Sequence, residues 1–337
     1  MKAAVIGGSG YLGAELLRLL AGHPSLEVVA VQADSSAGGT IAARYPGLAA
    51  AYGGTTFGEI DPGAVSHADV VFVAVPSGRS LAIVPELVGG AGCVVDLGAD
   101  FRLKDPAAYP RWYGFEHSAP ELLATAVYGL PERYRAELAD ARLVAAPGCY
   151  VTAAALAIGP LVDAGAVERA GVVVDAASGT SGAGAGASAA THHSRINESF
   201  DAYGLLDHRH TPEIEQVTGA TVLFTPHHAP MTRGILASCY ARASHATSTE
   251  EVLALLADAY RDEPFVEVVR EPVATRETYA ANTARLTARH DPRTGLTLVL
   301  CAIDNITKGG AGQALQAANV ALGLPETAGL PLVAVTP

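Results

Sequence analysis

The chain has 337 residues, of which 50% are hydrophobic and 17% charged, and this composition excludes a disordered or highly charged scaffold. The net charge of -12 argues against a nucleic-acid-binding protein, which would carry a basic face. The four cysteines are widely spaced and form no C-x-x-C pair, so we expect neither disulfides nor a metal site. No apolar run reaches the roughly 18 residues of a membrane helix and no signal peptide is recognisable, so we expect a cytoplasmic protein without membrane contact.

The first half of the chain alternates short apolar strands with helices. The patterns predict strands at residues 2–6, 26–31, 67–75, 93–97 and 143–146, and helices at 11–20 and 79–88. Alternation at these lengths is typical of a Rossmann-like α/β domain with a parallel sheet and crossover helices. The aromatic and proline-broken stretch 105–119 is predicted to be a long loop.

The second half has longer strands separated by glycine- and histidine-rich segments. Helices are predicted at residues 150–164 and near 249–260, and strands at 172–176, 221–225, 235–241 and 296–303. This pattern favours an α+β domain with a mixed, largely antiparallel sheet. We expect a first domain at 1–148, to which a C-terminal helical segment 309–337 returns, and a second domain at 149–308.

A glycine-rich turn lies between the first strand and the first helix. Gly7, Gly10 and Gly13 are spaced G-x-x-G-x-x-G, which allows a sharp turn and lets a pyrophosphate approach the backbone at a helix N-terminus. The competing interpretation is a turn kept only for close helix–strand packing. After the second strand, Asp34 could accept the ribose hydroxyls of NAD, whereas Ser35 and Ser36 could bind the phosphate of NADP. These residues alone leave the cofactor open.

One cysteine differs from the others in position. Cys149 follows Pro147-Gly148 at the predicted start of a helix, where the macrodipole and the unpaired N–H groups favour a nucleophilic thiolate. The alternative is a packed thiol at a helix start. The remaining cysteines lie within apolar strands and are predicted to be small buried residues: Cys93, Cys239 and Cys301.

A general base for this cysteine is expected among the histidines. His208 and His210 precede a predicted helix that begins at Thr211-Pro212, and loops of this kind often carry catalytic groups. The competing pairs are His192-His193 and His227-His228.

Six motifs together indicate a family: GGSGYLG, PGCYVT, SGTSGAG, HRHTPEI, TPHHAPMTRGI and DNITKGGAGQALQ. Along its whole length the chain resembles the N-acetyl-gamma-glutamyl-phosphate reductases, a branch of the aspartate-semialdehyde dehydrogenase superfamily. The resemblance implies NADPH-dependent reduction of an acyl phosphate to a semialdehyde in arginine biosynthesis. It implies a thioacyl intermediate on Cys149, proton transfer by His210 or His208, and a homo-oligomer, either dimer or tetramer.

The resemblance also assigns binding residues. It places the nicotinamide cofactor on the glycine turn, on a loop after the third strand and on the stretch that enters the last helix. The implied cofactor residues are Gly7, Ser9, Gly10, Tyr11, Leu12, Gly13, Ser35, Ser36, Ser77, Gly78, Asn305, Lys308, Gly309 and Gln313. For such an anionic substrate we expect guanidinium contacts from Arg102, which follows the strand of Cys93, and from Arg233, with a surface salt bridge as the competing interpretation of each. The other expected substrate residues are Ser178, Gly179, Ser181 and Gly182, with a nest of backbone N–H groups in 178–184.

Two positions depart from the family pattern. Ala185 stands where members often have a basic residue, which removes one expected contact. Asp34 stands where a neutral or basic residue is common, which weakens the expectation of NADP and leaves NAD possible. Two alternatives remain: a related reductase acting on aspartyl phosphate or N-acetyl-aminoadipyl phosphate, and a nucleotide-sensing regulator that has lost catalysis.

Overall fold

The computed structural model describes residues 1–336, and the chain divides into two compact units. The first unit comprises Met1–Pro147 and Gly310–Leu330. The second unit comprises 148–309 and the chain from Pro331 onward. Among residues 1–336, no helix combines the length and the apolar character needed to cross a membrane.

The tail beyond Leu330 belongs to the second unit, whereas the sequence had led us to place all of 309–337 with the first. Backbone hydrogen bonds explain the difference. The N–H of Asn282 donates to the carbonyl of Pro331, and the N–H of Val335 donates to the carbonyl of Tyr279.

The first unit is built on a six-stranded sheet whose pairings are all parallel. The third and fourth strands are completely buried and rich in valine, as expected for a parallel sheet covered on both faces. The Rossmann-like prediction is therefore confirmed. The strands are β1 (Lys2–Ile6), β2 (Glu27–Gln32), β3 (Val70–Val73), β4 (Cys93–Asp96), β5 (Val127–Tyr128) and β6 (Leu143–Ala145). The helices are α1 (Tyr11–Leu20), α2 (Ile41–Arg44), α3 (Ala49–Tyr52), α4 (Pro62–Val65), α5 (Ser80–Leu87), α6 (Tyr109–Tyr113), α7 (Pro120–Thr125), α8 (Pro131–Leu138) and, near the C-terminus, α13 (Gly312–Ala321).

The strand order in this sheet is β2-β1-β3-β4-β6-β5. Because β1 lies between β2 and β3 and all three are parallel, the loops that leave their carboxyl ends are neighbours at one edge of the sheet. Open α/β sheets bind ligands at this edge.

The prediction of an irregular loop over 105–119 was wrong in part. The segment contains a 3-10 turn at Pro106–Ala108 and helix α6. Tyr109 is completely buried, and its ring lies within 6 Å of the rings of Tyr113, Phe115 and His117. This aromatic cluster gives the segment a small core of its own.

The second unit is built on a seven-stranded mixed sheet. The strands are β7 (Val172–Ser178), β8 (Asp201–Ala202), β9 (Val222–His228), β10 (Ile235–Arg242), β11 (Val266–Val268), β12 (Ala284–Asp291) and β13 (Leu296–Ile303). The helices are α9 (Cys149–Asp163), α10 (His193–Ile196), α11 (Thr211–Thr218) and α12 (Thr249–Ala259).

The strand order in this sheet is β11-β12-β13-β10-β7-β9-β8. Four of its pairings are antiparallel and two are parallel, which confirms the prediction of a largely antiparallel sheet. The sequence patterns missed β8, β11 and β12. In β12, the alternating charges of ARLTARHD hide the apolar positions.

The two faces of this sheet differ. Helix α9 packs against β10 and β13, where alternate residues are buried. The other face carries a row of neighbouring apolar side chains that are half-buried or exposed, since Tyr240 pairs with both Val173 and Leu298, and Val173 pairs with Leu223. The unit thus presents an apolar sheet face that its own helices do not cover.

Candidate active site

The glycine turn after β1 fits a pyrophosphate. Gly7 has φ +86°, and a Cβ there would lie 2.2 Å from the carbonyl oxygen of Ala74, while a Cβ on Gly13 would lie 2.4 Å from that of Gly7. Packing therefore requires both glycines. A Cβ on Gly10 would make only an ordinary contact, 3.6 Å from the Gly7 oxygen, so packing alone does not explain this third glycine.

The helix start at this turn is open to an anion. Gly10 is the N-cap of α1, no side chain caps the helix, and its first turn contains no acidic residue. Two side chains from the segment after β2 fix the turn. Arg44 Nε and the Tyr45 hydroxyl both donate to the carbonyl of Ser9, at 2.9 and 2.6 Å. Backbone and helix dipole together suit a dinucleotide phosphate here.

An ion pair joins the loops that follow β2 and β3. The Arg79 guanidinium donates to an Asp34 carboxylate oxygen at 3.3 Å, and both side chains are more than half exposed. Ser35 is exposed and Ser36 is partly exposed in the same loop as Asp34.

A buried carboxylate organises the loop that contains Ser77 and Gly78. Asp100 is completely buried and accepts hydrogen bonds from Gly78 N, Ser80 N and the Ser80 hydroxyl. Burial, with the neighbouring Asp100 carboxylate, raises the pKa of Asp96 to about 7. The loop is thereby fixed at the carboxyl edge of the sheet.

Two further predicted residues lie in the first unit. Arg102 is largely buried and donates from Nη2 to the carbonyl of Leu97 at 3.0 Å. Gln313, on α13, is completely buried and donates to the carbonyl of Gly129 at 3.1 Å.

In the second unit, Cys149 is the first residue of α9 and His210 lies beside it. A Cβ on Gly148 would come within 2.5 Å of Nε2 of His210, so the imidazole packs directly on the Gly148 Cα. On the other side, a Cβ on Gly309 would lie 2.8 Å from the Cβ of Cys149. Glycines on both sides therefore leave room for the thiol and for the imidazole.

Buried groups around His210 hold this arrangement. Glu213 is completely buried and accepts a hydrogen bond from the N–H of Gly148 at 2.9 Å. Nδ1 of His208 accepts from the N–H of His210 at 3.0 Å. Burial, reinforced by the positive charge of Arg209, lowers the pKa of His208 to about 4. His208 is therefore neutral at pH 7.

Two tyrosines pack against the two histidines. The ring of Tyr150 lies 5.8 Å from that of His208 and 5.9 Å from that of His210. The Tyr203 hydroxyl donates to the Tyr150 hydroxyl, which donates to the carbonyl of His227. Burial raises the pKa of Tyr203 to about 12, so its hydroxyl stays protonated and remains a hydrogen-bond donor.

The competing histidine pairs make other contacts. His227 stacks on Phe200, and His228 stacks on Tyr203 with Nδ1 3.7 Å from Asp201. His192 is exposed and hydrogen-bonds the Ser194 hydroxyl. Within residues 1–336, no group of three or more His, Cys, Asp or Glu side chains is arranged so that it could hold a metal ion.

The loop 178–184 does not form the anion nest that we expected. The N–H groups of Gly179, Thr180 and Ser181 donate to the carbonyls of residues 231–234, and that of Gly182 donates to Gly179. Asn305 also fixes the loop, because its side-chain amide donates to the Ser181 hydroxyl and accepts from the N–H of Gly234. Ser178 is buried and donates to its neighbour's carbonyl.

The second predicted cation is already paired. Arg233 makes a two-pronged contact with the completely buried Asp304, at 2.9 and 3.1 Å, and also donates to the Thr307 hydroxyl. The ammonium of Lys308, completely buried, lies 5.4 Å from the centre of the Phe265 ring. Both cations therefore have defined positions within this unit.

The predicted residues thus form two groups. Cys149, His208 and His210 come together in the second unit, which also contains Asn305, Lys308 and Gly309, whereas the glycine turn, Arg102 and Gln313 belong to the first unit. Sequence reasoning missed three carboxylates. These are Glu213 in HRHTPEI, Asp100 in ADFR and Asp304 in DNITK. Only the fold shows which N–H groups donate hydrogen bonds to them.

Family models match both halves of the chain. Residues 2–141 match the model described as semialdehyde dehydrogenase, NAD binding domain, and residues 149–305 match that of the semialdehyde dehydrogenase dimerisation domain. Among solved structures, aspartate semialdehyde dehydrogenase with NADP from Candida albicans superimposes with a TM-score of 0.70 at 17% identity, covering 96% of this chain and 99% of that one. Aspartate semialdehyde dehydrogenase II from Vibrio cholerae gives 0.70 at 17% identity, over 95% of this chain and 97% of that one. These likenesses show the fold.

Curated relatives are far closer in sequence. The chain is 46% identical to the N-acetyl-gamma-glutamyl-phosphate reductase of Symbiobacterium thermophilum over 98% of this chain and 97% of that protein. It is also 46% identical to the protein of the same name from Alkalilimnicola ehrlichii, over the full length of both. With two family models and full-length relatives in agreement, the chain belongs to the N-acetyl-gamma-glutamyl-phosphate reductase family of oxidoreductases.

Proposed function

We propose that this protein reduces N-acetyl-glutamyl 5-phosphate to N-acetylglutamate 5-semialdehyde and phosphate, with NADPH, as a step of arginine biosynthesis. The observation that carries the proposal is the packing of His210 on Gly148, next to Cys149 at the start of α9. Relatives named for this reductase activity match the chain from end to end.

The first chemical step belongs to the thiol. Cys149 loses its proton to His210 as its sulfur bonds to the acyl carbon, and the carbon–oxygen bond to phosphate breaks. The proton on His210 then passes to the departing phosphate. Cys149 is the first residue of α9, and the positive end of the helix dipole would stabilise the negative charge that develops on the carbonyl oxygen.

His210 is the better general acid and base of the two histidines. Its imidazole is the one against Gly148, whereas His208 uses Nδ1 to accept from the His210 backbone. A group with a pKa of about 4 is a weak base at neutral pH. We therefore assign proton transfer to His210, and to His208 the positioning of His210.

The reduction step converts the thioester into an aldehyde. A nicotinamide cofactor would supply the hydride when bound, and the turn at Gly7, Gly10 and Gly13 would hold its pyrophosphate. The chain's own part is to stabilise the oxygen that becomes negative and then to release the thiolate of Cys149, when the carbon–sulfur bond breaks and the aldehyde forms. His210, which takes up a proton from solvent after phosphate has left, then returns that proton to the sulfur.

The substrate's two anionic groups require cations. Arg102 in the first unit and Arg233 in the second are the candidates. The carboxylate of Asp304 already pairs with Arg233, so that guanidinium brings little net positive charge to an anion.

We also propose a homo-oligomer that assembles through the uncovered sheet face of the second unit. The row Leu223, Val173, Tyr240 and Leu298 is apolar and continuous across four strands. An exposed apolar patch of this kind is typical of a protein interface. The match of residues 149–305 to a dimerisation domain supports a second copy as the partner.

A steady-state assay tests the activity. Oxidation of NADPH is followed with N-acetyl-glutamyl 5-phosphate, with aspartyl phosphate and with N-acetyl-aminoadipyl phosphate as alternative substrates. We expect turnover on the glutamyl compound and loss of it in Cys149→Ser with cofactor binding retained. Activity restricted to another acyl phosphate, or unchanged turnover in Cys149→Ser, would contradict the proposal.

A further inference from the structure

We propose that Arg79 is the residue that selects NADPH in this protein, by binding the 2′-phosphate of the adenosine ribose, and that Asp34 is its counter-ion in the absence of cofactor. The inference rests on the proposed function, because it concerns the cofactor of the same site. In this chain the acidic residue Asp34 lies where the 2′-phosphate of NADPH is expected to bind.

The position of the pair follows from the strand order. Since β2 and β3 flank β1 in parallel, the loops that carry Asp34 and Arg79 adjoin the glycine turn after β1. In such sheets the residue at the end of the second strand faces the ribose, where an acidic group accepts its hydroxyls and a nearby arginine accommodates a 2′-phosphate. Here both kinds of residue are present, 3.3 Å apart.

Charge makes Asp34 alone unsuited to NADPH. Its carboxylate would stand beside a phosphate with nearly two negative charges, and Ser35 and Ser36 can donate hydrogen bonds but no positive charge. Arg79 supplies that charge. Its planar guanidinium matches a phosphate with two parallel N–H donors.

The ion pair between Arg79 and Asp34 is weak enough to break when a phosphate binds. Arg79 is 58% exposed and Asp34 75% exposed, and such surface ion pairs contribute little to stability. The guanidinium can therefore exchange a single carboxylate contact for a doubly charged phosphate. Arg44, another cation near this turn, already donates to the Ser9 carbonyl and stacks on Tyr45. This leaves Arg79 as the cation with the charge and the freedom to meet the phosphate.

Direct binding measurements on the full-length protein test the proposal without relying on turnover. Dissociation constants for NADPH and NADH are measured by nicotinamide fluorescence, and that for 2′,5′-ADP by calorimetry, in the wild type, Arg79→Ala and Asp34→Ser. Arg18→Ala is the matched control, because Arg18 is also a partly exposed arginine of the first unit paired with a carboxylate, that of Glu15.

Arg79→Ala is expected to weaken NADPH and 2′,5′-ADP by about 10- to 100-fold, the value of a hydrogen-bonded charge contact, and to leave NADH nearly unchanged. Asp34→Ser is expected to tighten NADPH by about fivefold and to weaken NADH. Equal weakening of both dinucleotides by Arg79→Ala, or no weakening of either, would overturn the proposal. Selective loss of NADPH binding would support it even if the reductase assay failed, so the two proposals are tested separately.

Discussion

Replacing Gly148 by alanine perturbs the packing of His210, the proposed general base, beside Cys149, the proposed nucleophile. Gly148 has φ -69° and ψ 144°, which alanine adopts without strain, so the backbone itself tolerates the change. The new methyl group would lie 2.5 Å from Nε2 of His210. Non-bonded heavy atoms prefer about 3.5 to 4 Å, so the ring and the helix start must separate by about 1 Å.

A displacement of this size is expected to affect the reaction more than the fold. A misplacement of about 1 Å in a catalytic group lowers rates by about 100-fold, and we expect that loss in kcat/KM for Gly148→Ala. Because the His210 ring is buried, making room for the methyl group should lower the free energy of unfolding by about 1 to 3 kcal/mol. The dissociation constant for NADPH should stay near wild type, since the glycine turn lies in the other unit.

Gly186→Ala is the matched control, because a Cβ at Gly186 meets no atom within 4 Å. The assay is steady-state reduction of N-acetyl-glutamyl 5-phosphate by both variants. A kcat/KM for Gly148→Ala equal to that of Gly186→Ala would refute the assignment of His210 as the group that acts on Cys149.

Three further predictions concern the second unit. Glu213→Ala leaves the buried N–H of Gly148 without its acceptor and should lower the free energy of unfolding, measured by urea denaturation, by about 1 to 3 kcal/mol. Glu213→Gln keeps an acceptor oxygen and should retain most of the wild-type stability. The pKa of His208 falls from 6.5 to about 4 on folding, so the unfolded chain binds the proton more readily than the folded one. The free energy of unfolding should therefore decrease as pH falls from about 6.5 toward 4. His208→Asn should flatten that pH dependence. Tyr240→Glu places a charge in the apolar row and should shift the protein from oligomer to monomer in light scattering.

Each of these has an outcome that contradicts it. Equal stability of Glu213→Ala and wild type would show that the Gly148 contact is unimportant. An unchanged slope of stability against pH in His208→Asn would mean that His208 is not the group excluded from protonation. For the interface, Tyr240→Phe is the control, and an unchanged mass in Tyr240→Glu would place the contact between copies elsewhere.

Local patterns were sufficient for much of the fold. The predicted bounds of β1, α1 and β13 coincide with the observed ones, because each is a continuous apolar or amphipathic run bounded by glycine, proline or a polar turn. Sequence patterns failed to predict elements whose conformation is determined by tertiary contacts. The charges of β12 conceal a strand that pairs on both sides, and the aromatic residues of α6 fold around Tyr109 rather than forming a loop.

The site divides in the same way. The position of Cys149 at a helix start could be predicted, because a Pro-Gly pair ends one element and an alanine-rich run begins another. Which histidine lies beside it could not, since the spacing of His208 and His210 is compatible with either. The nest expected in 178–184 failed for a related reason: a glycine-rich loop offers N–H groups, but only the fold shows that residues 231–234 accept them.

The proposed role of Cys149 as carrier of the acyl group is tested most directly by mixing the enzyme with N-acetyl-glutamyl 5-phosphate in the absence of NADPH. The reaction is quenched in acid, and the intact mass and the phosphate released are measured. We predict one acyl adduct per chain, located on the Cys149 peptide, with an equal amount of phosphate released and neither product in Cys149→Ser. Turnover with NADPH but no adduct in its absence, or an adduct on another residue, would contradict the account.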